Sequence, residues 1–80
     1  MKLYVGNFVY TTTELELREL FATQGSVDNV RIIHDQFTRQ SKCFGYVRML
    51  TQKGAKRAVD SLHGSIFNDN RLVVKEARPI

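Results

Sequence analysis

Apolar and polar side chains alternate in four short segments of the chain, which predicts four β-strands. The first segment runs from Leu3 to Phe8 and the third from Lys42 to Met49. Successive side chains of a strand point to opposite faces of a sheet, so each segment has an apolar face that can enter a core. The inward residues of the second and fourth segments are Val27, Val30, Ile32, Leu72 and Val74.

Two further segments carry apolar residues every three or four positions, which predicts amphipathic helices. The first begins at Thr13, which fits a capping box with Glu16, and Gly25 is a natural stop. Thr51 caps the second helix, which ends near Gly64. The buried stripes are Leu17, Leu20 and Phe21 in the first helix and Ala55, Ala58, Val59 and Leu62 in the second.

The order of these elements, β-α-β-β-α-β, is that of the split βαβ plan. It predicts an α+β, ferredoxin-like βαββαβ sandwich with a four-stranded antiparallel sheet in the order 4-1-3-2. Right-handed crossovers put both helices on one face of this sheet. Asn68 and Asp69 offer a tight turn into the last strand. Gly54 weakens the first turn of the second helix by up to about 1 kcal/mol relative to alanine.

Length and composition favour one globular domain that covers residues 1–80, because 80 residues, 42% of them apolar and 25% charged, leave no room for a second core. No apolar run approaches the roughly 20 residues that span a bilayer, and the N-terminus has no signal-peptide pattern, so neither a membrane nor export is expected. One cysteine allows no internal disulfide, and two histidines have no zinc-site spacing. We expect a cytoplasmic protein, or a nuclear one if the source is eukaryotic, with no metal or cofactor.

The segment from Lys42 to Met49 has two contrasting faces. Cys43, Gly45, Val47 and Met49 fall on the inward side, whereas the outward side interleaves aromatic rings with cations. The octapeptide resembles the RNP1 motif of RNA recognition motif (RRM) domains, K/R-G-F/Y-G/A-F-V-x-F/Y, with Cys43 in place of the usual glycine and Met49 in place of the last aromatic. The segment from Leu3 to Phe8 resembles the RNP2 motif, whose second position is an aromatic.

The resemblance covers essentially the whole chain. In architecture the chain is similar to small single-domain bacterial RNA-binding proteins. It implies that Tyr4 and Phe44 each stack a base, that Tyr46 packs against a sugar or base, and that Lys42 pairs with phosphate. Asn7 and the segment from Lys75 to Arg78, which includes Ala77, match positions that contact bases through side chain or backbone.

Alternation collects Tyr4, Phe44 and Tyr46 on the sheet face away from the helices, which we call the open face. Six of the twelve cations and none of the eight acids are placed there. Rings among cations suit base stacking with phosphate neutralisation, and the bases must come from a single strand to be available. The residues predicted to bind RNA are Tyr4, Phe44, Tyr46, Lys42, Lys2, Asn7, Arg31, Arg48, Arg71, Lys75, Ala77 and Arg78.

The sequence also allows alternatives to RNA binding. The same rings can stiffen the sheet or bind another protein, and single-stranded DNA in vitro is a further ligand to consider. An enzyme of the acylphosphatase type needs a cationic cradle after the first strand, where residues 8–12 carry no Arg or Lys, so we expect neither catalysis nor a small-molecule substrate.

Two residues have unresolved roles. Cys43 is expected to be a small inward thiol in a packed site. Phe37, in the polar segment from His34 to Ser41, folds back over the sheet, lies against a nucleotide, or is an isolated exposed ring. The chain is expected to be a monomer, with Phe37 as one route to self-association.

Overall fold

The computed structural model describes residues 1–39 and 41–77, with the side chains of 41 and 42 left out of the description. The elements are β1 (Lys2–Gly6), α1 (Glu14–Ala22), β2 (Val27–His34), β3 (Ser41–Met49), α2 (Gln52–Leu62), β4 (Ile66–Phe67), β5 (Asn70–Arg71) and β6 (Val73–Glu76). The main sheet is antiparallel in the order β2-β3-β1-β6. With β6 as the fourth strand, this confirms the predicted order and the ferredoxin-like fold. No helix within the described ranges is long and apolar enough to cross a bilayer.

One apolar core lies between the sheet and both helices. Its buried side chains come from the inward faces of the strands, including Leu3 and Val47, and from the predicted helix stripes, including Phe21 and Ala58. Both helices therefore cover the same face, as predicted. In β2, Val27 and Val30 both pack against this core although they are three positions apart, because the register with β3 shifts between Val27 and Asn29.

Both predicted helix caps form. The Thr13 hydroxyl accepts a hydrogen bond from the Glu16 amide at 3.1 Å, and Glu16 Oε1 accepts one from the Thr13 amide at 3.1 Å. Glu16 Oε2 also accepts one from Asn68 Nδ2 at 3.2 Å. The bond from Asn68, followed by that from the Thr13 amide, holds the pKa of Glu16 below its ordinary value, so the fold stabilises its carboxylate form. At α2, Thr51 Oγ1 accepts from the Gly54 amide at 3.0 Å.

Gly54 has a packing role that helix propensity does not indicate. A Cβ on Gly25 would lie 2.8 Å from the Gly54 Cα, and one on Gly54 would lie 3.3 Å from the Gly25 Cα. The backbone after α1 and the first turn of α2 thus approach each other at a distance that two glycines permit. Gly54 therefore permits this backbone contact, although glycine lowers the helix propensity of the first turn of α2.

The segment before the last strand forms a small hairpin that was not predicted. Strands β4 and β5 pair Ile66 with Arg71 across a turn in which Asn68 and Asp69 have φ angles of 50° and 68°. Two positive φ values are typical of a tight hairpin turn. Arg71 belongs to this second sheet and not to the strand beside β1, so the alternation that placed Arg71 on the open face does not apply. Leu72 and Val74 are buried as predicted.

Candidate nucleic-acid interface

A single row of side chains crosses all four strands of the main sheet on the open face. Arg31 in β2 is opposite Tyr46 in β3, Tyr46 is opposite Tyr4 in β1, and Tyr4 is opposite Lys75 in β6. Directly paired residues of antiparallel strands project from the same face, and neighbouring strands lie about 4.8 Å apart, so the row spans about 14 Å. Two tyrosines thus lie between two exposed cations.

The three rings of the open face are in mutual contact but differ in orientation. The centroids of Tyr4 and Phe44 are 6.0 Å apart with an interplanar angle of 29°, so these rings are nearly parallel. Tyr46 is edge-on to both, at interplanar angles of 68° to Tyr4 and 90° to Phe44. A Cβ on Gly6 would lie 2.9 Å from Tyr4 Cζ, so Gly6 leaves the space in which the Tyr4 ring lies along the strand.

Lys2 places a charge directly over one of these rings. Its Nζ lies 4.4 Å from the centroid of Tyr46, which is a cation–π contact. Lys2 is also paired with Arg48 across β1 and β3. The face of Tyr46 is therefore covered by an ammonium group, while Tyr4 and Phe44 have no such cation over them among the described side chains.

Arg48 has an acidic neighbour that alternation did not predict. Its Nε lies 3.8 Å from Asp28 Oδ2, and both side chains are exposed. The prediction that no acid reaches the open face is therefore wrong at this edge, because the register shift beside Asp28 turns its carboxylate toward Arg48. An exposed pair of this kind contributes about 0–1 kcal/mol, so Arg48 keeps most of its hydration.

Asn7 directly follows β1 and has a left-handed conformation with φ of 64°. Its Nδ2 donates a hydrogen bond to the Arg71 carbonyl at 2.7 Å, which ties the strand end to the hairpin. The Ala77 amide donates to the Lys2 carbonyl at 2.9 Å and is thus already used by the sheet. Among the other predicted contacts, the Lys42 side chain and Arg78 lie outside the described part of the chain.

Asn29 was not predicted as a site residue. It is opposite Arg48 in the sheet and is exposed, so it belongs to the open face. The alternation that selected Arg31 also selects Asn29 two positions earlier. A neutral amide is neither a ring nor a cation, so the residue types that mark the open face do not include it.

Cys43 is not the inward core thiol that alternation predicts. Between the pairs Ile32–Gly45 and His34–Ser41, three residues of β3 face one residue of β2, which is a β-bulge. Cys43 lies in this bulge with φ of 62°, is partly exposed and forms no disulfide. A left-handed conformation costs a non-glycine residue about 1–2 kcal/mol. The glycine usual at this RNP1 position avoids that cost.

We predict that Cys43→Gly raises the free energy of unfolding by about 0.5–1 kcal/mol, because glycine adopts positive φ without strain although it also makes the unfolded chain more flexible. Thermal unfolding should show a rise of about 4–8 °C in Tm for each kcal/mol gained by a domain of this size. Cys43→Ser is the matched control, since it keeps a Cβ and should give no gain. Equal Tm values for the glycine and serine variants would show that the left-handed conformation of Cys43 is not strained.

Three comparisons with known proteins agree with this geometry. The family model described as RNA recognition motif matches residues 3–73. RNA-binding protein CP31B, a chloroplastic protein of Arabidopsis thaliana, is 37% identical over 78 residues, which are 98% of this chain and 27% of that protein. The chain therefore spans about a quarter of the length of such curated relatives.

Solved structures extend the likeness to three dimensions. The crystal structure of RNA Binding Protein PG1 superimposes with a TM-score of 0.94 at 39% identity, and the match covers 100% of this chain and 99% of that one. The Sxl-Lethal protein/RNA complex contains a chain with a TM-score of 0.92 at 31% identity, covering 98% of this chain and 47% of that one.

Proposed function

This chain belongs to the RNA recognition motif family, and from that premise we propose that it binds single-stranded RNA across the open face of its sheet. The observation that carries the proposal is the row Arg31, Tyr46, Tyr4 and Lys75, in which two rings lie between two exposed cations. The Sxl-Lethal complex, a structural relative, contains RNA. In this proposal residues 1–80 act as one binding domain.

The two nearly parallel rings take the bases. Tyr4 and Phe44 each stack one base, and Tyr46 packs against a sugar or a base after Lys2 moves from its ring. A stacked base contributes about 1–3 kcal/mol, and these values are not strictly additive. Two or three stacks with a few phosphate contacts give an affinity on the order of micromolar, about −8 kcal/mol.

Cations around the rings neutralise the backbone. Lys2, Arg31 and Lys75 are exposed and lie beside the tyrosines, and we assign phosphate contacts to them. Arg48 joins them, since its pairing with Asp28 is weak and exposed. The family pattern assigns further RNA contacts to Lys42, Ala77 and Arg78, whereas Arg71, which lies in the β4–β5 hairpin, joins the proposal only as an exposed cation.

The strand must be single, because a duplex keeps its base faces stacked on one another. The row is about 14 Å wide, so a few nucleotides cover it. Stacking and phosphate contacts do not read the 2′-hydroxyl, so single-stranded DNA is expected to bind in vitro as well. The role is binding and not catalysis.

The names of the relatives do not support the alternative of a protein-interaction module. They are those of ribonucleoproteins, RNA-binding proteins and splicing factors.

A cytoplasmic location stays part of the proposal. Curated relatives include chloroplastic proteins and a probable splicing factor, so a nuclear location is compatible with this fold as well.

Fluorescence-anisotropy titration of mixed-sequence single-stranded RNA tests the proposal, with duplex RNA as the control ligand. Micromolar binding to the single strand and much weaker binding to the duplex are expected. With about four phosphate contacts, raising salt from about 50 to about 200 mM should weaken single-strand binding about 50-fold. Binding that is absent at tens of micromolar, or equal for both ligands, would overturn the proposed function.

A further inference from the structure

We propose that a groove beside α2, on the helix side of the sheet, binds an acidic amphipathic segment of a partner protein. This groove, which we call the α2 groove, has a volume of about 500 Å³. One wall is a side of α2, and the other is formed by the start of the chain, β1 and the end of β6. The site is additional to the RNA site, and its existence does not depend on RNA binding.

The α2 groove lies at a corner of the sheet that α2 leaves uncovered. Glu76 is paired with Leu3, so both project from the face on which the helices pack. Leu3 is buried, whereas Glu76 is exposed at the end of the edge strand. The preceding Lys75 is paired with Tyr4 and projects from the open face. The sheet itself therefore separates the α2 groove from the proposed RNA site.

The base of the groove is apolar. It is formed by Met1, Leu3, Ala55 and Val59. Met1 and Val59 are partly exposed and pack against the core, so they offer apolar surface to a ligand. The volume is within the range of about 300–1,000 Å³ that is usual for ligand sites. A partner can therefore bury an apolar side chain there.

Two lysines line the helix wall of the groove without carboxylate partners. Lys53 and Lys56 are three positions apart on α2, and both are exposed. The only ion pair in the described part of the chain joins Arg48 and Asp28, so no described carboxylate is paired with either lysine. Arg57 adds a third exposed cation to the same turns of α2. Complementarity of charge favours a ligand that brings acids to this wall.

Two acids limit where the charges of the ligand can lie. Asp60 and Glu76 line the groove and are exposed. Asp60 is seven residues from Lys53, which is about 10 Å along the helix axis. The acids of a bound segment must therefore lie toward Lys53 and Lys56, away from Asp60. A segment with acids at one end and an apolar anchor beside them fits this arrangement.

A second copy of this chain fits the groove less well than an acidic partner does. In a symmetric pair the same patch of each copy meets its counterpart. Antiparallel contact of two α2 helices about the middle of the groove would bring Lys56 and Arg57 of both copies together, and like charges oppose such contact. The net charge of +4 acts in the same direction.

The acidic start of α1 does not supply the ligand either. Glu14 Oε2 accepts a hydrogen bond from the Ile32 amide at 2.9 Å, and Glu16 Oε1 accepts one from the Thr13 amide at 3.1 Å. Both carboxylates are thus used within the domain. Contact between α1 of one copy and α2 of the next is also head-to-tail, which forms open chains unless the rotation closes a ring. We therefore assign the groove to a different protein.

Selection from a displayed library of random peptides of about 12 residues tests the inference, with the immobilised native chain as target. The enriched peptides are expected to carry acids next to a leucine or an aromatic residue. As labelled synthetic peptides, they should bind the native chain with micromolar affinity in anisotropy titrations. Lys53→Glu/Lys56→Glu should weaken that binding about tenfold or more, because acids of the peptide then meet like charges.

Lys2→Glu/Lys75→Glu is the matched control. Each double variant replaces two cations by two anions and so lowers the net charge from +4 to zero. Lys75 projects from the open face, and Lys2 lies over the Tyr46 ring of that face. At about 0.15 M salt, where charges are screened beyond about 8 Å, the control should bind the peptides within about twofold of the native chain. Saturating single-stranded RNA should not displace the peptides.

Several outcomes overturn the inference. Absence of acidic peptides from the enriched set would remove the proposed site. Equal weakening by both double variants, or displacement of the peptides by RNA, would show that the peptides bind the open face or follow overall charge. If Lys53→Glu/Lys56→Glu weakens RNA binding as strongly as the control does, these lysines contact RNA. A dimer in sedimentation that Lys53→Glu/Lys56→Glu abolishes would make a second copy the occupant.

Discussion

Replacement of Tyr4 and Phe44 together by alanine is expected to weaken binding of single-stranded RNA about 30-fold or more while the domain stays folded. Both rings project from the open face and are only partly buried, so their removal takes little from the core. Two lost stacks correspond to about 2 kcal/mol or more, even if their contributions overlap. Anisotropy titration measures the affinity, and circular dichroism during heating measures the fold.

Tyr10→Ala is the matched control for this double variant. Tyr10 is 64% exposed and lies in the connection from β1 to α1, outside the strands of the sheet. Its replacement removes an aromatic ring of the same kind and should leave RNA affinity within about twofold, since no stack is lost. Native-like binding by the double variant would show that the rings serve another purpose. A large drop in its Tm would show that they stabilise the sheet.

Val47→Ala is expected to have the opposite effect, with a loss of about 2 kcal/mol of folding free energy and no direct loss of RNA contact. Val47 is 0% exposed and is opposite Leu3 in β1 and Val30 in β2, in the middle of the core face. Removal of two methyl groups there leaves a cavity. Urea denaturation measures the change in unfolding free energy, and Tm should fall by about 10 °C.

Arg48→Ala is the control for Val47→Ala, because it tests whether the loss of stability comes from burial in the core or from position in β3. Arg48 is the next residue along the strand and is exposed on the opposite face, so its truncation should change stability by less than about 0.5 kcal/mol. The folded fraction of Val47→Ala should bind RNA with native affinity. Similar destabilisation by both variants, or weaker binding by the folded Val47→Ala, would contradict the separation of core and binding faces.

The main elements of the fold were predictable because their signals are local. Alternation marked the buried residues of β1 and β3, and the spacing of Thr13 and Glu16 marked the start of α1 with both bonds of the capping box in place. Each depends on residues a few positions apart in the chain. The order of the strands then followed from general rules of handedness.

The structure differs from the sequence-based predictions where the local geometry depends on a residue that is distant in the chain. Alternation assigned Cys43 to the core, but Cys43 lies in the bulge opposite β2 and is partly exposed, and a bulge depends on the pairing of two strands. The value of Gly54 depends on Gly25, and the Arg48 pairing depends on a register shift near Asp28. The open-face rings were predictable as a set, whereas the position of Lys2 over Tyr46 required coordinates.

The hydrogen bond from Asn7 to the Arg71 carbonyl fixes the orientation of the side-chain amide that follows β1. The Nδ2 atom of Asn7 has two hydrogens and this bond uses one, so the second N–H and the Oδ1 acceptor are left to a ligand. A base edge that meets Oδ1 must present an N–H, as the amino groups of adenine, cytosine and guanine do, and as the imino group of uracil does. A base edge that meets the remaining N–H must present a carbonyl oxygen or an unprotonated ring nitrogen. The fold thus fixes where a donor and an acceptor stand at this point and leaves the identity of the base to its neighbours.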